Sequence, residues 1–117
     1  MTTETKQPGA RSFIALEVAL LIIESLRRVV TLVRRHDAKV AQQIVSAASS
    51  IAANLAEAGG RQGKDRMHFF RIAAGSAEET RVHLRVALAW GWLGKADIEK
   101  PLGLIDREVA LLWRLTH

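Results

Sequence analysis

The side chains that could do chemistry fall on two lines. Gln43, Ser50, Asn54, Glu57 and Arg61 recur at helical spacing along one face, and Ser76, Glu79 and His83 do the same further on. Adjacent antiparallel helices would bring the two lines together. Small polar groups between packed helices need partners, because an unsatisfied one costs roughly 1–3 kcal/mol. The first reading of Ser50, Asn54, Glu57, Ser76 and Glu79 is therefore structural: they pin a turn and its neighbours, or pair across a subunit contact. A ligand-binding role comes second. Glu79 and His83 lie four apart, as two metal ligands on a helix would, but a di-iron bundle needs Glu-x-x-His on two helices and this sequence has none. Gly60 to Asp65 is a poor phosphate loop, since Asp65 stands where Ser or Thr belongs and no strand precedes it. No metal, cofactor or small-molecule substrate is expected.

Charge is the other source of chemistry. The net charge is +5, and 12 of the 17 cationic residues are Arg. An anionic partner is implied, with RNA or DNA first, against the plainer reading of a basic, soluble surface. Arg34, Arg35, Lys39, Lys95 and Lys100 group near two predicted turns; Lys6, Arg11, Arg61, Lys64 and Arg66 group near the opposite turn. Both ends are basic, so charge alone does not choose between them. The three Phe and three Trp read largely as packing residues, which predicts shape- or charge-based binding without tight sequence reading.

These residues must be positioned by helices. Ala, Leu, Arg and Glu are plentiful, 49% of the 117 residues are apolar, and strand-like alternation is confined to Val82–Val86 within a helical pattern. The spacing predicts an antiparallel up-down-up-down four-helix bundle: a flexible tail over 1–11, then helices over about 12–35, 38–58, 64–92 and 98–116. Ser12 is the expected first cap and Asp37 the second; Asp97 is the fourth, with Pro101 in that helix's first turn. Cysteine is absent, no signal peptide is visible and the longest apolar run is too short to span a membrane, so a cytoplasmic protein is expected.

The first helix is apolar nearly all round, with Glu17, Glu24, Arg28, Thr31 and Arg35 as a narrow polar stripe. One small bundle leaves an outer face of each helix in water, so something must cover the back of this one. A second copy of the chain is the simplest cover. Ile14, Val18, Leu21 and Ile22 are the candidate contact residues, joined by Trp113, which lies off the apolar face of the last helix.

Two segments carry a resemblance, QIVSAASSIAANLAEAGGR at Gln43–Arg61 and FFRIAAGSAEETRVHLRVALAWGWL at Phe69–Leu93. Together they resemble the four-helix bundle proteins encoded within intervening sequences of bacterial 23S rRNA genes. Ser50, Ile51, Ala53, Asn54, Ala56, Glu57, Gly60 and Arg61 match that family's helix 2 motif; Gly75, Ser76 and Glu79, then Gly91, Trp92 and Leu93, match its helix 3 motifs. Ala52 and Ala58 depart from the usual Pro and Gly, and both favour a regular helix. The resemblance implies a homo-oligomer, typically a pentameric ring. It also implies kinship with accessory proteins of diversity-generating retroelements, which bind RNA and a reverse transcriptase.

A non-enzymatic, oligomeric nucleic-acid-binding accessory protein is the leading expectation, and a protein-interaction scaffold with incidental basic ends is the alternative. One remote enzyme reading remains. Arg61 and His68, with six residues between them, resemble the Arg and His pair of HEPN-type helical ribonucleases.

Overall fold

The computed structural model describes residues 8–117. Within them the chain is entirely helical, with no strand: α1 Pro8–Ser25, α2 Arg27–Arg34, α3 Ala38–Gly59, α4 Gly63–Ala89 and α5 Lys95–Thr116. The molecule measures 49 × 24 × 20 Å. α3 packs on α4, α4 on α5, α5 on α1, and α1 and α2 on α3. α1 and α4 thus lie across the molecule from one another, each held between α3 and α5.

The first helix departs from expectation in two ways. It begins at Pro8, so Ser12 lies inside it and is not its cap. Of the expected tail, residues 8–11 are helical and residues 1–7 lie outside the described residues. A proline in the first turn is tolerated because its missing N–H would have had no partner there. The helix is also interrupted at Leu26. The Ser25 hydroxyl donates to the Ile22 carbonyl (2.7 Å), and the Leu26 N–H is shared between the carbonyls of Ile22 (3.1 Å) and Ile23 (3.0 Å). Such back-bonding loosens the i to i−4 ladder and bends a helix. Helical bonding resumes at once with Val30 N–H to Leu26 O at 2.8 Å.

The turns are built by few residues. Asp37 is extended (φ −156°) and its Oδ1 accepts the Val40 N–H at 3.0 Å, capping α3 as the sequence implied. Gly91, at φ +80°, ends α4: its N–H reaches Leu88 O (2.9 Å) while Trp92 N–H reaches Ala87 O (3.0 Å). That is a Schellman closure, so α4 stops before the expected Leu93-Gly94. α5 then starts at Lys95. Asp97 lies in its first turn, its Oδ2 accepting the Gly94 N–H at 2.8 Å. Pro101 consequently sits in the second turn, where it is buried and leaves the Asp97 carbonyl without its usual helical donor.

The core is aliphatic and alanine-rich. Ala15, Val18, Ile22, Leu26, Val29 and Val33 face Ile44, Ala48, Ile51, Leu55, Ala73, Ala77, Leu84, Ile105 and Leu112. Val18 and Ile22, expected at a subunit contact, are buried in the chain's own core. Trp90, read as a packing residue, is exposed, as is Ile72, while Phe70 is buried. On α5 the buried series is Ile98, Pro101, Ile105, Glu108 and Leu112, so Leu102 and Val109 are only half-buried and a carboxylate lies inside.

Candidate functional site

The polar lines separate into three arrangements. Ser50 and Ser76 meet between α3 and α4 with their hydroxyls 2.8 Å apart. Asn54 Nδ2 donates both to the Ser50 carbonyl (2.8 Å) and to its hydroxyl (2.9 Å), while the buried Thr80 hydroxyl donates to the Ser76 carbonyl (2.8 Å). This is a hydrogen-bonded seam between two helices whose small residues allow close approach. Glu57 belongs elsewhere: it accepts from Arg61 Nε (3.0 Å) and an Arg61 terminal nitrogen (2.8 Å) at the α3–α4 turn. Glu79 pairs with His83 along α4 at 3.3 Å and does not join the seam. Among the described residues no group of three or more His, Asp or Glu side chains could hold a metal ion.

The two basic ends differ, which sequence alone did not reveal. At the α3–α4 end the arginines are occupied. Arg61 is held by Glu57, lies 4.0 Å from Asp65 and rests over the Phe69 ring at 5.1 Å. Arg66 Nε donates to the carbonyls of Ala58 (3.2 Å) and Arg61 (2.9 Å), satisfying the exposed end of α3. Lys64 alone of these three is exposed and unpaired. His68 contacts Phe69 edge-on at 5.3 Å, and no hydrogen bond or ring contact joins it to Arg61. Arg61 and His68 thus both contact Phe69, with Arg61 paired to Glu57.

At the other end, where the α2–α3 and α4–α5 turns meet, Arg34, Arg35, Lys39, Lys95 and Lys100 are exposed and none has a carboxylate partner among the described residues. The two aspartates nearby are engaged: Asp37 caps α3, and Asp97 accepts from Gly94 and lies 3.7 Å from Arg28. Glu99 is the remaining exposed carboxylate of this end. The meeting of the turns is marked by aromatic rings. His36 lies nearly parallel to Trp92 (5.8 Å between centroids, 7° between planes), and Trp90 lies nearly parallel to Trp92 (6.0 Å, 14°). Aromatic rings therefore do accompany one basic cluster, contrary to the reading of Trp90 and Trp92 as packing residues. The missed signal was local: Gly91 reverses the chain between two tryptophans, leaving Trp90 outside and Trp92 against the core.

Apolar side chains remain exposed on two helices. On α1 they are Phe13, Ile14, Leu20 and Leu21, beside unpaired Glu17 and Glu24; on α4 they are Val82, Val86 and Ile72, beside unpaired Arg71 and Arg85. Trp113 on α5 is 60% exposed and stacks on His117 at 4.2 Å. A shallow groove between α1–α2 and α3 is lined by Ile23, Val30, Thr31, Val45 and Ala48, with Arg27 and Arg34 at its edge.

The described residues thus form an all-helical chain with a polar seam between α3 and α4 and a basic end marked by aromatic rings. The model of the 23S rRNA-intervening sequence protein family matches residues 14–114, so the chain belongs to that family. A solved structure of a protein of unknown function from the S23 ribosomal protein family of Bacteroides thetaiotaomicron is similar in fold. It has a TM-score of 0.74 and 21% identity, covering 94% of this chain and 98% of the other. No curated protein matches the sequence. No helix among the described residues is long and apolar enough to cross a membrane.

Proposed function

We propose that the chain is a four-helix-bundle subunit, α1 and α2 acting as one helix, that assembles into a homo-oligomeric ring, a homopentamer by family resemblance. In the cytoplasm the ring acts as a non-enzymatic accessory protein that binds nucleic acid, RNA foremost, alone or with an RNA-associated protein such as a reverse transcriptase.

The observation that carries the binding reading is the difference between the ends. Arg34, Arg35, Lys39 and Lys95 have no carboxylate partner among the described residues, whereas Arg61 and Arg66 are spent on the chain itself. Unpaired cations lose little on meeting a phosphate, and releasing condensed counterions drives the contact. A ring repeats the cluster in every subunit, so weak contacts add through avidity. The family's association with 23S rRNA supports RNA as the polymer.

The ring is supported by the placement of the apolar faces. They differ from one another, lie across the molecule and carry opposite unpaired charges. A contact between unlike faces is heterologous, and repetition of such a contact closes into a ring when the rotation permits.

Binding is tested by titrating labelled RNA against salt. Affinity is expected to fall steeply from about 50 mM upward, and Arg34→Ala/Arg35→Ala to reduce the log–log slope by about 2. Absence of binding at that low salt would sink the reading and favour a scaffold whose exposed α1 face takes a protein.

A further inference from the structure

We infer that Trp90, Trp92 and His36 form a stacking platform for the bases of an unpaired nucleic-acid strand, with Arg34, Arg35, Lys39 and Lys95 taking its phosphates. This rests on the nucleic-acid reading above and adds to it the kind of strand.

Trp90 is 70% exposed, the most exposed of the large apolar side chains. Among the described residues its one ring contact is the stack on Trp92. Gly91 at φ +80° lets the chain reverse between the two tryptophans and leaves their planes within 14°. Trp92 is half-buried and packs on the core, and His36 reaches it from the other turn with planes 7° apart. The centroid separations near 6 Å are those of offset stacking. The three rings thus already lie near-parallel in the chain without a ligand.

The surroundings favour a polyanion with flat apolar faces. Arg35 is next to His36 in the chain, and Lys95 follows Trp92 by three residues. Stacked bases on aromatic rings with cations alongside is the usual solution for single strands, because every base offers a π-face. A duplex hides those faces between its own pairs and can use only the cations.

The test compares an oligouridine of roughly 12 nucleotides with a blunt duplex of equal phosphate number, each titrated with the full chain at about 50 mM salt. Trp90→Ala should weaken single-strand binding by about 5- to 100-fold and leave the duplex nearly unchanged, with Trp90→Phe restoring much of the loss. Intrinsic tryptophan fluorescence should be quenched by the oligouridine and not by the duplex. Light scattering should find the Trp90 variants assembled as the parent is. Equal losses on both polymers, or none on either, would overturn the platform while leaving charge-driven binding in place. If neither polymer binds the parent chain, the nucleic-acid reading itself fails, and the platform with it.

Discussion

At the scale of single residues the least expected feature is Glu108. Its side chain is 0% exposed and neither carboxylate oxygen has a hydrogen-bond partner. Burial raises its pKa from 4.5 to about 8, opposed only by the charge of Arg107. The group is therefore held neutral in the folded chain at ordinary pH. The sign of the pH effect follows. Between about 4.5 and 8 the folded state keeps the proton that the unfolded state has released. Stability should then fall as pH rises through that window, by up to about 1.4 kcal/mol per pH unit, the opposite of what a salt-bridged carboxylate does. Urea unfolding of the parent and of Glu108→Gln between pH 5 and 8 should show a slope in the first that is much reduced in the second. Glu108→Leu should be more stable than the parent at about pH 8, since it removes two orphaned oxygens as well as the ionisation. A parent chain whose stability is flat across this range would mean that Glu108 finds a partner in solution.

At the scale of elements, helix ends decide more than helix interiors. Gly91 occupies a left-handed conformation, φ +80°, that side chains with a Cβ adopt only at a cost. Gly91→Ala should destabilise the chain by about 1 kcal/mol, seen as a lower urea midpoint with unchanged steepness. Gly103 lies inside α5 with open space around it, so Gly103→Ala should stabilise by a similar amount and serves as the matched control. The all-helical class was legible because periodic apolar residues and caps such as Asp37 report local physics. The register of α5 was not. Leu102 and Val109 continue the apolar series, but Pro101 and Glu108 are the residues that turn inward. Their burial depends on how α5 lies against its neighbours, which no spacing rule contains. The break at Leu26 was hidden for a similar reason: it depends on which carbonyl the Ser25 hydroxyl chooses. The candidate site was half legible. The cations of both ends could be read from the sequence, but the pairing that separates free from committed arginines required Glu57, Ala58 and Arg61 in three dimensions.

At the scale of the whole molecule the question is what covers the outer faces of α1 and α4. Phe13 and Val82, both more than half exposed, stand for the two faces. Burying them between unlike faces would also set Glu17 and Glu24 against Arg71 and Arg85, an arrangement that favours this pairing over either face with itself. The proposal has a consequence that self-complementary contacts lack. Leu20→Asp breaks only the α1 face, and Val82→Asp breaks only the α4 face. Each variant alone should be monomeric by light scattering, because every contact in the ring uses one face of each kind. Mixed in equal amounts they should form a heterodimer and nothing larger: the intact α4 face of the first variant meets the intact α1 face of the second, and both remaining faces are broken. If the contact instead joined like faces, the variant that leaves the self-pairing face intact would remain a dimer without its partner. Size measurement on the two variants and on their mixture therefore separates a ring from a symmetric dimer, and a parent chain that is itself monomeric at high concentration removes both.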